Sequence, residues 1–220
     1  MLRSSLLIVL GLLVAALGAS VCLLHGQRPA ARDLPWKVEI LPDGGSKVFG
    51  VTLGQTTARE LSRRLKTFPR IALFVSSGGR RSLEVYFGNV SLGLFEAKLD
   101  VVLRASPVQL AAFERHAVGR KPMPSGAYRL ALTEADTAAA FGLPIAELVY
   151  APGVRCTDEL VLDSFGKPAQ RVRLRGGGSY WLYPGRGLVM LRGTRGAAVL
   201  HYTAPADFGR LRKRIEEQAE

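Results

Sequence analysis

The chain opens with 21 residues that carry no charge, Ser4–Leu24 (SSLLIVLGLLVAALGASVCLL). As a helix this run would be about 31 Å long, enough for a hydrocarbon core of roughly 30 Å. Three fates fit it. It reads as a retained signal anchor, or as a cleaved signal peptide with small-residue exits near Gly18-Ala19-Ser20, or as a lipoprotein signal ending at Cys22. Val21 stands before Cys22, where a lipoprotein signal needs a small residue. The apolar run continues past every plausible cleavage point, which favours the anchor. Arg3 alone precedes the run, while Arg28, Arg32 and Lys37 follow it. The short basic head resembles a bacterial export signal, so the expected location is the bacterial inner membrane. The chain is then single-pass, with a periplasmic C-terminal domain.

The remaining residues suffice for one domain or two small ones. The whole chain is 48% apolar, ample for a core, and carries a formal charge of +12. A basic balance points to an anionic lipid surface or to nucleic acid. No zinc finger, ribonucleoprotein motif or aromatic-interleaved basic stretch is present, so nucleic acid is not an expected partner. Cys22 lies in the apolar run and Cys156 stands alone beyond it, so the fold has to hold by packing without an internal disulfide.

Along the chain, residues 27–36 read as a linker. Thr56 or Thr57 caps a helix, with Glu60 at capping-box spacing from Thr57, and Pro69 stops it. Strands follow at Ile71–Val75, Leu83–Phe87 and Leu92–Leu103, the last alternating Lys98, Asp100 and Val102 against Leu99, Val101 and Leu103. Ser106-Pro107 opens a second helix and Thr133 a third. Thr157 caps a helix ending at Phe165-Gly166-Lys167-Pro168. Strands over 171–174, 180–183, 188–191 and 197–202 come next, before a charged C-terminal helix. Helix, proline stop and antiparallel meander thus occur twice, about 100 residues apart. The expected boundaries are 1–26 for the membrane helix, 27–36 for the linker, 37–132 for a first α+β unit and 133–220 for a second.

Thr157-Asp158-Glu159-Leu160, Phe165-Gly166-Lys167-Pro168-Ala169, Trp181-Leu182-Tyr183, Gly187-Leu188 and Val199 together resemble the SmpA/OmlA (BamE-like) family. Gly50-Val51-Thr52-Leu53-Gly54 echoes the pattern in the first half. The chain as a whole is similar to proteobacterial membrane-anchored proteins that end in a Trp-Leu-Tyr-Pro hairpin. The resemblance implies an α+β fold of two helix-plus-antiparallel-meander units, like the β-lactamase inhibitor protein, after the transmembrane helix. It speaks to fold, and fold does not set function.

No catalytic, cofactor or metal constellation is legible. His25, His116 and His201 have no ligand spacing. Cys156 precedes a helix N-terminus beside Arg155, a setting that favours thiolate, although a buried small hydrophobe at a strand–helix junction fits better. Gly176-Gly177-Gly178 lacks the Lys-Ser/Thr of a phosphate loop and reads as a turn. Tyr180, Trp181 and Tyr183, beside Arg171, Arg173 and Arg186, form either a core strand or an interaction surface. The expected function is a non-enzymatic, membrane-anchored envelope module for protein–protein interaction or assembly. Its partners would be the membrane through Ser4–Leu24, another envelope protein and anionic lipid. The alternative is a thiol-dependent enzyme using Cys156, or an envelope ligand sensor.

Overall fold

The computed structural model describes residues 34–92 and 95–219. A small sheet comes first, from β1 (Glu39–Ile40), β2 (Ser46–Val48) and β3 (Val51–Thr52). Helix α1 (Ala58–Leu65) follows. Its Thr57 side chain accepts from the Glu60 N–H at 3.2 Å, and the Glu60 carboxylate accepts from the Thr57 N–H at 2.7 Å, a complete capping box. Then come β4 (Arg70–Val75), β5 (Arg81–Leu92), β6 (Phe95–Leu103), α2 (Pro107–His116), β7 (Gly119–Pro122), β8 (Tyr128–Ala131), α3 (Glu134–Ala140) and β9 (Ile145–Pro152). The last part holds α4 (Asp158–Phe165), β10 (Gln170–Arg173), β11 (Ser179–Tyr183), β12 (Leu188–Arg192), β13 (Ala198–Thr203) and α5 (Phe208–Ala219).

The strands from β4 onward form one antiparallel ten-stranded sheet in the order β10-β11-β12-β13-β9-β6-β5-β4-β8-β7. The expectation of two helix-plus-meander units is therefore corrected. β9 pairs with β13 on one side and with β6 on the other. Two separate meanders would each leave an open edge of unpaired N–H and C=O groups at this point. β9 satisfies both edges and makes the strands continuous.

One face of the sheet carries the main core. Leu73, Leu83, Val85, Leu99, Val101, Leu148, Tyr150, Leu188, Leu200 and Tyr202 are buried there. The small sheet and the first four helices cover it through Phe49, Leu61, Phe113, Ala140 and Phe165, which belong to the same cluster. A bulge at Gly88, where the register to β6 shifts and φ is +72°, keeps this face consistent. It inserts one residue, so Phe87 before it and Val90 and Leu92 after it all remain buried. Among the described residues the opposite face is covered by α5, which packs Phe208, Leu211 and Ile215 on Tyr180, Leu182 and Val189.

Ser4–Leu24 lies outside the described residues. Among the described residues no helix is long and apolar enough to cross a membrane. The longest, α5, has 12 residues and carries Arg210, Arg212, Lys213 and Arg214. The transmembrane, signal-anchor and single-pass inner-membrane expectations are corrected on that finding.

Candidate functional site

The aromatic strand is a core element. Trp181 and Tyr183 point into the main cluster, while Tyr180 points to the other face beneath α5. The Trp181 indole N–H donates to Ser179 Oγ at 3.0 Å, and the Tyr183 hydroxyl donates to the Gly166 carbonyl at 3.1 Å, so both polar tips are satisfied inside. Arg171 and Arg173 stand exposed on the edge strand, Arg171 stacked 3.9 Å over the Trp181 ring. Arg186 sits in the turn after β11 with its Nη1 buried. The structure thus brings the arginines of the expected surface to one edge but turns the aromatics inward.

Cys156 is half-buried and packs against the main core. Its carbonyl accepts from Arg192 Nη2 at 2.6 Å, and the same nitrogen reaches Asp158 Oδ1 at 2.7 Å. His116 is an exposed partner of Asp136, with Nδ1 3.2 Å from Oδ2. Among the described residues no group of three His, Cys, Asp or Glu side chains has the geometry to hold a metal ion. His25 lies outside the described residues. Gly176-Gly177-Gly178 is a hairpin turn, closed by the Gly177 N–H on the Leu174 carbonyl at 3.1 Å.

The concave surface lies elsewhere, on the sheet face that α5 leaves open. A trough of about 710 Å³ runs over β5, β6, β9 and β13 and is walled by α5. Strand register places its floor. Tyr86 pairs with Asp100, Asp100 with Val149, and Val149 with His201, so these four side chains form one row across four strands. In the next row Glu84 pairs with Val102, Val102 with Glu147, and Glu147 with Thr203.

The Tyr86 hydroxyl donates to Glu84 Oε2 at 2.5 Å, with the Phe74 ring edge-on to Tyr86 at 6.1 Å. Burial and this bond to a carboxylate push the Tyr86 hydroxyl far above its ordinary range. Burial raises the Asp100 carboxyl too, and the neighbouring Glu84 charge adds to the rise. Burial pulls His201 down to about 4, so it is neutral near pH 7. Glu147 is treated differently: Arg214 grips it with both guanidinium nitrogens, Nη1 at 3.1 Å from Oε1. Asp207 at the mouth is also held, by Arg104 at 2.8 Å and Arg210 at 3.6 Å. Among the described residues neither Glu84 nor Asp100 has an ion-pair partner within 4.0 Å.

Two half-buried carboxylates with no cation within 4.0 Å among the described residues are conspicuous on a chain of charge +12, with Lys98 acting on Asp100 only from farther off. They can accept hydrogen bonds from an ammonium or guanidinium group, whose charge would relieve the mutual repulsion. Sequence reading missed them. The available signal was Glu84 and Tyr86 alternating with buried Leu83, Val85 and Phe87, facing Asp100 and Val102 with the same alternation.

Comparison with protein-family models, curated proteins and solved structures finds no match to this chain. The likeness to the SmpA/OmlA family rests on the residues quoted for it.

Proposed function

We propose that this chain is a non-enzymatic protein-interaction module whose partner lies in the open trough. The carrying observation is the pairing pattern on its floor. Glu147 and Asp207 are held by arginines in direct ion pairs, while among the described residues Glu84 and Asp100 have no cation within 4.0 Å and lie beside each other and Tyr86, with Lys98 acting on Asp100 from farther off. Apolar flanks are supplied by Phe74, Val102 and Val149. A segment that presents one Lys or Arg between apolar side chains complements this floor in charge and in contact. Packing of the Cys156 side chain against the core supports this reading over a thiol-dependent enzyme.

The test is a photo-crosslinking residue at Val102 in the full chain, with exposed Val154 as the control position. The expected result is a discrete adduct from position 102 only, at least about tenfold weaker in an E84Q/D100N background. Equal labelling from both positions, or an adduct indifferent to the two carboxylates, would sink the proposal.

A further inference from the structure

Phe68 is fully exposed, 101% of its reference area, and the segment that carries it is tightly held. Lys66 ends α1 in the left-handed region, at φ +51°. The Thr67 N–H donates to the Ser62 carbonyl at 3.2 Å, and the Ser62 hydroxyl donates to the Thr67 carbonyl at 2.6 Å. Pro69 fixes the next residue's entry into β4. The ring is thus displayed by a braced turn, with no apolar neighbour among the described residues to cover it.

The surroundings are mainly basic, two acid-free stretches with Glu60, Glu134 and Asp136 standing just beyond their ends. From Leu61 through Leu83 there is no Asp or Glu, while Arg63, Lys66 and Arg70 stand exposed around the ring. From Arg115 through Thr133 there is again no acid, while Arg120, Lys121 and Arg129 are present. β4 pairs with β8 and β8 with β7, which brings the two acid-free stretches together. Ile71, Arg120, Lys121, Arg129 and Leu132 line one shallow depression. Lys121 lies directly opposite Arg129, a like-charge pair that weakens a sheet unless something outside neutralises it. Val118, 71% exposed, is a second apolar side chain at this corner. A helix C-terminus favours a cation or two, which accounts for Arg63, but not for Arg70, Lys121 or an uncovered phenylalanine.

We propose that this corner docks on an anionic lipid bilayer, with Phe68 entering the interface and Arg63, Lys66, Arg70, Arg120 and Lys121 meeting headgroup phosphates. An aromatic ring among cations suits that boundary, where the ring finds the acyl edge and the charges find the surface potential. The inference stands independently of the trough.

The test reads position 68 itself, because other parts of the full chain can also meet lipid. The full-length F68W protein is titrated with phosphatidylglycerol/phosphatidylcholine vesicles and with pure phosphatidylcholine vesicles. The difference emission against the parent protein isolates the new indole from Trp36 and Trp181. Expected is a blue shift, with quenching by brominated acyl chains, on the anionic vesicles and not on the neutral ones. In an R63Q/K66Q/R70Q background the midpoint should move to about tenfold more lipid or beyond. A water-like, unquenched indole on both vesicles overturns the proposal, as does an equal shift on neutral ones. A shift produced by a short DNA duplex and not by vesicles overturns it in favour of nucleic acid.

Discussion

The Arg171 guanidinium lies 3.9 Å over the ring of Trp181, its direct partner in the β10–β11 register. At the far edge of the sheet Arg120 covers Tyr128 in the same way, at 3.7 Å. Each terminal strand is short, and each lays a cation on an aromatic of the strand beside it. That arrangement shields an edge that would otherwise template pairing with another chain. The two members of the pair should differ sharply in weight. Trp181 is 2% exposed, so Trp181→Ala should lose about 3–5 kcal/mol in denaturant unfolding. Arg171→Ala should lose about 0.5–1 kcal/mol. Comparable losses would mean that the arginine, and not the indole, organises this edge.

Gly187 should be irreplaceable. Its φ is +59°, and a Cβ added there would stand 1.9 Å from the Thr203 carbonyl oxygen, which is backbone and cannot swing away. Gly187→Ala should cost at least about 3 kcal/mol, visible as lost soluble yield or a collapsed melting temperature. Gly185, two residues earlier, has open space at its Cβ position, so Gly185→Ala should stay within about 0.5 kcal/mol. A tolerated alanine at 187 would show that the β11–β12 turn can rebuild.

Stability should fall on mild acidification because of His201. Its folded value, about 4, lies below the ordinary 6.5, so the unfolded chain binds the proton first. The contribution is fully present above about pH 6.5 and is lost as pH drops toward 4. The loss should amount to about 2 kcal/mol, discounted for partial access of water to the ring. Unfolding free energies of the parent and His201→Gln, measured from pH 7.5 to 4, should converge as pH falls. Parallel curves would remove His201 from the account.

Asp100 should act in the opposite sense. Its carboxyl is raised by burial and by Glu84, so its share of stability is present at low pH and lost as pH rises through the folded value. Asp100→Asn should therefore raise the melting temperature at pH 7, and the gain should shrink as pH falls toward 4. Glu84→Gln should capture part of the same gain, since either change ends the repulsion. A destabilised Asp100→Asn at pH 7 would mean that the carboxylate is satisfied by a contact not described above.

Local chemistry was legible in the sequence, long-range pairing was not. Ser106, Thr133 and Thr157 act as helix caps where residue spacing placed them, and of Thr56 and Thr57 the cap is Thr57. Alternation found most strands, because one face of each is buried. It missed β7, Gly-Arg-Lys-Pro, because an edge strand exposed on both faces has no apolar period. It misjudged the architecture because nothing local to Ile145–Pro152 names its two neighbours. The trough was hidden for a related reason. Glu84, Asp100 and His201 become neighbours only through the register of four strands, which the bulge at Gly88 and the insertion of β9 set together.

The central slot of β9 has a kinetic consequence. Tyr150 pairs with Leu99 on one side and with Leu200 on the other, each about fifty residues away in the chain. Both closures have to be made before either brings its full ladder of hydrogen bonds, so the entropy of two long loops is spent ahead of the return. Such high contact order places folding in the slow, millisecond-to-second regime. Until β9 docks, β6 and β13 each present a bare edge, and that interval is when this chain is most exposed to pairing with another copy of itself.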